Sequence, residues 1–356
     1  MPAEEASSRP EPIFILGAPR SGTSLLSRML GSHPAIAVPD ETKIFEAFVR
    51  LQPLYGDLRE PARLRRLTRD VLGWRWIRRL PDPPGLDAVL ARVARPDLCG
   101  VFEALLETWA AQQGKPRWGE KSPNNLFHWP LIEAGFPRAI VVHIVRDGRD
   151  VALSQIAAPF GPKTMASAAL RWVHHIELIR AIGRRAGPGR YVELRYEDLL
   201  ARPEAAITDV LQAVGEPFDP AMLQFHRNAR PVGTDPLNDV NILRPLQVAN
   251  SGKWAAQAGV DAIAVFEGIA GATLEACGYA RATRAAPMPP AELAWRRWIE
   301  HPPRKLLAMA RNSAGIAEGL ERERIRLRLY ADAALGRVAR DSSGDPPARQ
   351  LEPRPR

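Results

Sequence analysis

Three short apolar runs stand out along the chain, each followed by residues with helical spacing. Residues 13–17, IFILG, form a β-rich run that ends in glycine, and Leu25, Leu26, Met29 and Leu30 then recur at helical intervals. AIVVHIV at 139–145 is continuous and β-branched, the pattern of a strand covered on both faces, and it runs through RDGRD into a helical VALSQI. YVELRY at 191–196 precedes a helix from about Pro203 to Val214, with proline in its first turn and Gly215 as its stop. Strands that alternate with helices predict an α/β fold built on a parallel sheet. Residues 46–112 have helical character and no strand, which reads as a helical insertion. Residues 163–187 are also helical, with Trp172, Ile176 and Ile179 at core spacing. No internal repeat is visible.

Composition narrows the class. With 356 residues, 46% of them hydrophobic, the chain can bury a sizeable core, so wholesale disorder is excluded. Two cysteines, Cys99 and Cys277, make neither a disulfide framework nor a cysteine-based zinc module. No run of about 20 apolar residues is present, so a membrane-spanning helix is not expected. The opening MPAEEASSRPEP has no basic n-region and no apolar h-region, so a cytoplasmic protein is expected. Residues 1–11 read as flexible, 12–280 as the body, 281–340 as a basic helical extension and 341–356 as a disordered polar tail.

The net charge of +9 invites a nucleic-acid reading, but its location argues against one. Residues 281–356 hold sixteen Arg/Lys against nine Asp/Glu, whereas the rest of the chain is nearly neutral. The excess belongs to the extension, and no nucleic-acid partner is expected. Packing on the body is the first use expected of the extension, with an anionic membrane surface, a second subunit or an acidic acceptor as the other uses of its basic face. A second basic stretch, residues 59–79, carries eight arginines against two acids together with Trp74 and Trp76. It suits either an acceptor cleft for an acidic or sugar substrate or a solvated helix face.

Two segments carry chemistry. Gly17-Ala-Pro-Arg-Ser-Gly-Thr-Ser24 places two glycines four residues apart between a strand and a helix, the arrangement in which backbone N–H groups and a helix N-terminus cradle a phosphate. It is P-loop-like, yet Thr23 stands where a nucleoside triphosphatase carries its phosphate-reaching lysine. Arg20, Ser21, Thr23 and Ser24 supply a guanidinium and hydroxyls instead. In Val145-Arg-Asp-Gly-Arg-Asp-Val-Ala-Leu-Ser154, Arg146 leaves the end of a buried strand and Ser154 lies about two helical turns further on, which suits a second, separate phosphate.

Together the two segments resemble the PAPS-dependent sulfotransferases, whose donor is 3′-phosphoadenosine 5′-phosphosulfate. PRSGTSLL is similar to the family's 5′-phosphosulfate loop and VRDGRDVALS to its 3′-phosphate motif. SHPAIAVPDETKIF, WGEKSP, RYEDLL and ILRPLQVANSGKW are closest in flavour to tyrosylprotein sulfotransferases and their bacterial relatives. The resemblance runs from about Pro12 to Tyr279. It implies a P-loop-type parallel sheet flanked by helices, with helical insertions and the C-terminal helical extension.

It also implies roles. Arg20, Ser21, Gly22, Thr23 and Ser24 would hold the 5′-phosphosulfate, Arg146 and Ser154 the 3′-phosphate, with Tyr196 and Arg244 as further nucleotide contacts. Glu41 falls where related enzymes carry a catalytic glutamate, with His33 as the competing base, and Lys121 resembles the lysine that stabilises the transferring charge. His143 reads as a core histidine. His174 and His175 have no neighbours that suggest a metal, and no metal is expected. The implied reaction moves a sulfuryl group from PAPS to an acceptor hydroxyl, a sugar or small metabolite being favoured, and releases adenosine 3′,5′-bisphosphate. The alternatives are a P-loop kinase and a non-catalytic nucleotide-binding protein.

Overall fold

The computed structural model describes residues 10–159, 161–227, 242–310 and 312–334. Most of the expected N-terminal flexible stretch and all of the polar tail lie outside these residues. Five strands form one parallel sheet, β1 (Ile13–Leu16), β2 (Ile36–Ala37), β3 (Arg117–Glu120), β4 (Ile140–Val145) and β5 (Tyr191–Arg195), in the order β2-β3-β1-β4-β5. Register between the two central strands pairs Ile13 with Ile140 and Leu16 with His143.

Apolar side chains alternate across the sheet. Ile13, Ile15, Val142 and Ile144 pack with the helices Thr23–Gly31 and Pro203–Val214 on one face. Phe14, Leu16 and Val141 join the helices Pro61–Gly73 and Leu98–Gln112 on the other. A third cluster forms where the helices Gly148–Ala157, Met165–Ala186 and Val260–Ala276 meet around Trp172 and Phe266. The α/β class and the flanking helices therefore agree with the sequence reading, and Trp172, Ile176 and Ile179 are fully buried.

Two strands escaped that reading. β3 is Arg-Trp-Gly-Glu, with charged ends and no β-branched residue, yet all four residues are buried. Arg117 is tolerated because its guanidinium donates to the Val214 carbonyl at 2.6 Å and pairs with Glu216 at 3.2 Å. Glu120 is tolerated because Thr42 (2.8 Å), Ser122 (2.6 Å) and Asn125 all donate to it. Burial pushes the Glu120 carboxyl up, and the Ser122 and Thr42 hydrogen bonds and the Lys121 charge pull against that shift.

Within the extension, expected over 281–340, the helix is broken. Helix runs from Pro290 through a π-turn segment at Arg296–Glu300 to Ala310, and a separate helix spans Ser313–Ala334. Leu329 of the second helix is buried in the same cluster as Phe14. Among the described residues no helix is long and apolar enough to cross a membrane.

Candidate active site

In a parallel sheet the loops at the carboxyl ends of the strands share one edge, and ligands bind there. Gly17–Ser24 follows β1, Lys121 follows β3, Arg146 follows β4 and Tyr196 follows β5. These loops border a cavity of about 720 Å³, of a size usual for a nucleotide or comparable ligand.

The first loop turns sharply from β1 into a helix. Arg20 (φ 81°) and Gly22 (φ 100°) both occupy the left-handed region, which turns the chain sharply into the helix Thr23–Gly31. That helix has no side-chain cap, so its first-turn N–H groups carry the positive end of the helix dipole toward the cavity. Gly22 is demanded twice, because a Cβ there would also lie 2.5 Å from the Tyr196 ring. Gly22, Thr23 and Ser24 line the cavity, whereas Ser21 is fully buried behind it, its Oγ unpartnered among the described residues.

The second motif divides its labour. Arg146 faces the cavity, donating to the Asn250 carbonyl at 2.7 Å and stacking over the Tyr196 ring at 4.5 Å. Its Nε is buried and unpartnered among the described residues. Arg149 turns inward, pairing with Asp147 and Glu267, both at 2.7 Å. Asp150 accepts from the backbone N–H of Gly252 at 2.7 Å and of Trp254 at 2.8 Å, which pins the late SGKW segment beside the first two loops. The two expected phosphate sites are in direct contact. Arg20 Nε donates to Ser154 Oγ at 2.9 Å, and Arg146 donates to the Arg20 carbonyl at 3.3 Å.

Glu41 and Lys121 meet beside the first loop. Lys121 Nζ donates to Glu41 Oε1 at 3.0 Å and to Ser24 Oγ at 3.2 Å, lying just behind two residues that line the cavity. The neighbouring Thr42–Glu120 hydrogen bond sets this geometry, since each partner is adjacent in sequence to one of the pair. Thus the lysine missing from the first loop has a counterpart delivered from β3. Burial would push the Glu41 carboxyl up, but Lys121, Lys43 and Arg20 outweigh it and hold the group below its ordinary range.

Other expected residues lie elsewhere. His33 is buried away from the cavity with both ring nitrogens engaged. The Ala35 N–H donates to Nδ1 at 3.1 Å, so Nε2 carries the proton and donates to the Pro217 carbonyl at 2.9 Å. Glu41, by contrast, lines the cavity. His143 is a core residue bonded through Nδ1 to the Tyr191 hydroxyl at 2.8 Å. Arg244 is exposed and outside the lining, although Ile242, Pro245, Leu246 and Gln247 around it belong to the wall. Tyr196 lines the cavity and receives a hydrogen bond from Asn250 Nδ2 at 2.8 Å.

The remaining wall lies on the Glu41 side of the cavity. Lys43, Glu46, Arg75, Trp76, Arg79, Asn124 and Arg171 contribute to it, so part of the basic 59–79 stretch does face the cleft, while Trp74 is core. Sequence reasoning missed Glu318 of the extension. Its Oε2 accepts from Lys43 Nζ at 3.2 Å and from Trp76 Nε1 at 3.1 Å, and Asn312 and Gly315 line the cavity with it. Beyond it, Glu321 faces Arg75 and Arg78, Asp332 pairs with Arg66, and Arg328 pairs with Asp70. The basic stretch and the extension are thus complementary through the extension's acids, a pattern invisible to a net-charge count.

Comparison with known proteins agrees with this architecture. A profile described as "Sulfotransferase family" matches residues 12–220. An uncharacterized protein of Aquifex aeolicus is 30% identical over 237 residues, covering 64% of this chain and 28% of that protein. The protein-tyrosine sulfotransferase of Drosophila melanogaster is 25% identical over 259 residues, covering 69% and 47%. The chain therefore spans less than half the length of these two relatives. Among solved structures, the sulfotransferase domain of the Synechococcus PCC 7002 olefin synthase superposes with a TM-score of 0.52 at 26% identity, over 73% of this chain and 94% of that domain.

Proposed function

This chain belongs to the sulfotransferase family, and we propose on that footing that it transfers a sulfuryl group from PAPS to an acceptor hydroxyl, releasing adenosine 3′,5′-bisphosphate. The observation that carries the reading is Lys121, hydrogen-bonded at once to Ser24 of the donor loop and to Glu41. One cation in that position bridges the group that leaves and the group that accepts a proton.

The residues fit such a donor. Arg20, the Gly22–Ser24 backbone and the dipole of the helix that follows suit the 5′-phosphosulfate. Arg146, with an unpartnered buried Nε, and Ser154 suit the 3′-phosphate. Because Arg20 and Ser154 touch, the two phosphates would be read by one connected network. Leu200, Ile242 and Leu246 beside Tyr196 offer an apolar slot of the kind that takes a nucleobase. Arg244 keeps its assignment only as a peripheral cation.

In-line transfer to a hydroxyl builds negative charge on the leaving phosphate oxygen and requires removal of the acceptor proton. Glu41, kept ionised by its cationic neighbours, takes that proton. Lys121 and Arg20 stabilise the developing charge. A fixed cation acts here without reorganising during the reaction, which is why its prior attachment to Ser24 matters.

For the acceptor, the polar wall of Glu46, Asn124, Arg79 and Glu318 around Trp76 suits a sugar or small hydroxylated metabolite. Likeness to protein-tyrosine sulfotransferases makes a tyrosyl peptide the next acceptor to screen. Labelled-donor transfer across such a panel tests the activity. Thermal stabilisation by adenosine 3′,5′-bisphosphate well above that by ADP tests the donor. Equal or reversed stabilisation would refute it, and stabilisation without transfer to any acceptor would mark a non-catalytic binding protein.

A further inference from the structure

A helix on a protein surface normally turns its apolar residues toward the core. The stretch Pro290–Ala310 does not. None of its residues is buried, and Trp295 (53% exposed), Trp298 (65%), Ile299 (61%), Leu306 (71%), Leu307 (56%) and Met309 (54%) all face solvent. Trp298, Pro302, Leu306 and Met309 share one shallow, almost wholly apolar depression with Arg297 and Lys305. The stretch meets the body through Lys305, whose Nζ donates to the Gly161 carbonyl at 3.0 Å, whereas the following helix sends Leu329 into the core and ties Glu318, Arg328 and Asp332 to the body.

We propose that Pro290–Ala310 is an interfacial helix that docks flat on an anionic lipid surface. Charge and chemistry select this occupant. Tryptophan and arginine side by side, with the Arg297 guanidinium 5.0 Å from the Trp298 ring centre, match the boundary between headgroups and acyl chains. The acids of this stretch are neutralised within it, Glu292 by Arg296 and Glu300 by Arg296 and Arg304, so they do not repel an anionic surface. The surrounding residues 281–356 carry sixteen basic side chains against nine acidic ones. The helix lies on the membrane and does not cross it, consistent with its length and composition. Further along the chain, Asn312, Gly315 and Glu318 line the cavity.

The test is sedimentation of the full chain with vesicles of phosphatidylcholine alone or enriched in phosphatidylglycerol. The intact protein should sediment with the anionic vesicles and remain largely in solution with the neutral ones. W298S/L306S, two changes at exposed positions, should weaken partitioning by at least about tenfold while leaving the melting temperature unchanged. R297A should weaken it less and reduce its salt sensitivity. Failure of the intact protein to sediment with either vesicle would overturn the proposal, as would unchanged sedimentation of the double variant. Light scattering supplies the remaining arm. A dimer in lipid-free solution that the double variant converts to monomer would assign this face to a second copy of the chain instead.

Discussion

Arg20 and Ser154 lie 134 positions apart in sequence, yet Arg20 Nε donates to Ser154 Oγ at 2.9 Å. The two phosphate motifs are therefore coupled before any ligand arrives. Ser154→Ala should weaken binding of adenosine 3′,5′-bisphosphate by about 5- to 30-fold, and Arg20→Ala by more, because a charge-assisted contact is lost. The double variant should lose less than the sum of the two in free energy. Calorimetric titration of all four proteins checks this, and strict additivity would show that the contact does not couple the motifs.

Glu41 and Lys121 make a prediction about pH. Glu41 lies below its ordinary value of 4.5 despite burial, because Lys121, Lys43 and Arg20 favour its ionised form. A base that must be ionised loses activity only as pH falls through its pKa, so the acid limb of the rate profile should lie below pH 4.5. Lys121→Met removes the strongest cationic contribution and should move that limb upward as well as lowering the maximum rate. Glu41→Gln should reduce turnover by about 100-fold or more with nucleotide affinity little changed. An acid limb that stays in place in Lys121→Met would separate Glu41 from the titration.

Arg149 is predicted to be structural. Its guanidinium is nearly inaccessible and answers both Asp147 and Glu267, the latter also holding the Ala282 and Thr283 amides. Arg149→Met leaves two buried carboxylates without their cation and should cost about 3–5 kcal/mol of stability. Chemical denaturation measures it. A loss of activity with stability intact would place Arg149 in the ligand site.

Gly22→Ala combines a forbidden turn with a clash. The φ of 100° strains any side chain, and the new Cβ would meet the Tyr196 ring. The variant should lose nucleotide-dependent thermal stabilisation. Tyr196→Ala in the same chain should restore only part of it, because the backbone strain persists.

Glu318→Gln tests the contribution of the extension to the cavity. It weakens the contact with Lys43 while keeping a hydrogen-bond acceptor for Trp76. KM for the acceptor should rise several-fold with nucleotide affinity unchanged. An effect on nucleotide affinity alone would remove Glu318 from the acceptor side.

Strands β1, β4 and β5 are legible because apolar, β-branched runs declare themselves. β3 is not, because its buried Arg117 and Glu120 are satisfied by Val214, Glu216, Thr42, Ser122 and Asn125, partners that no local window contains. The donor side was readable for the opposite reason. Glycine spacing and an arginine at a strand end are local signals, and the residues they single out, Gly22–Ser24, Arg146 and Ser154, line one cavity. Lys121 was visible only through family resemblance, and Asp150 carries no sequence signal that it fastens Gly252 and Trp254. Glu318 lay beyond reach, since it meets Lys43 from 275 positions away inside a segment whose summed charge points the other way.

The position of Asn312, Gly315 and Glu318 in the cavity wall has an evolutionary consequence. Under the proposed function, part of the acceptor wall comes from the last helices, while the loops after β1 and β4 lie far earlier in the chain. A lineage can remodel the last helices and so reshape that part of the cavity, while the loops after β1 and β4 stay under their own selection. A fragment ending at residue 220, where the family match stops, would keep Gly17–Ser24, Arg146 and Ser154 but lose Ile242, Leu246 and Asn250 from the lining together with Glu318.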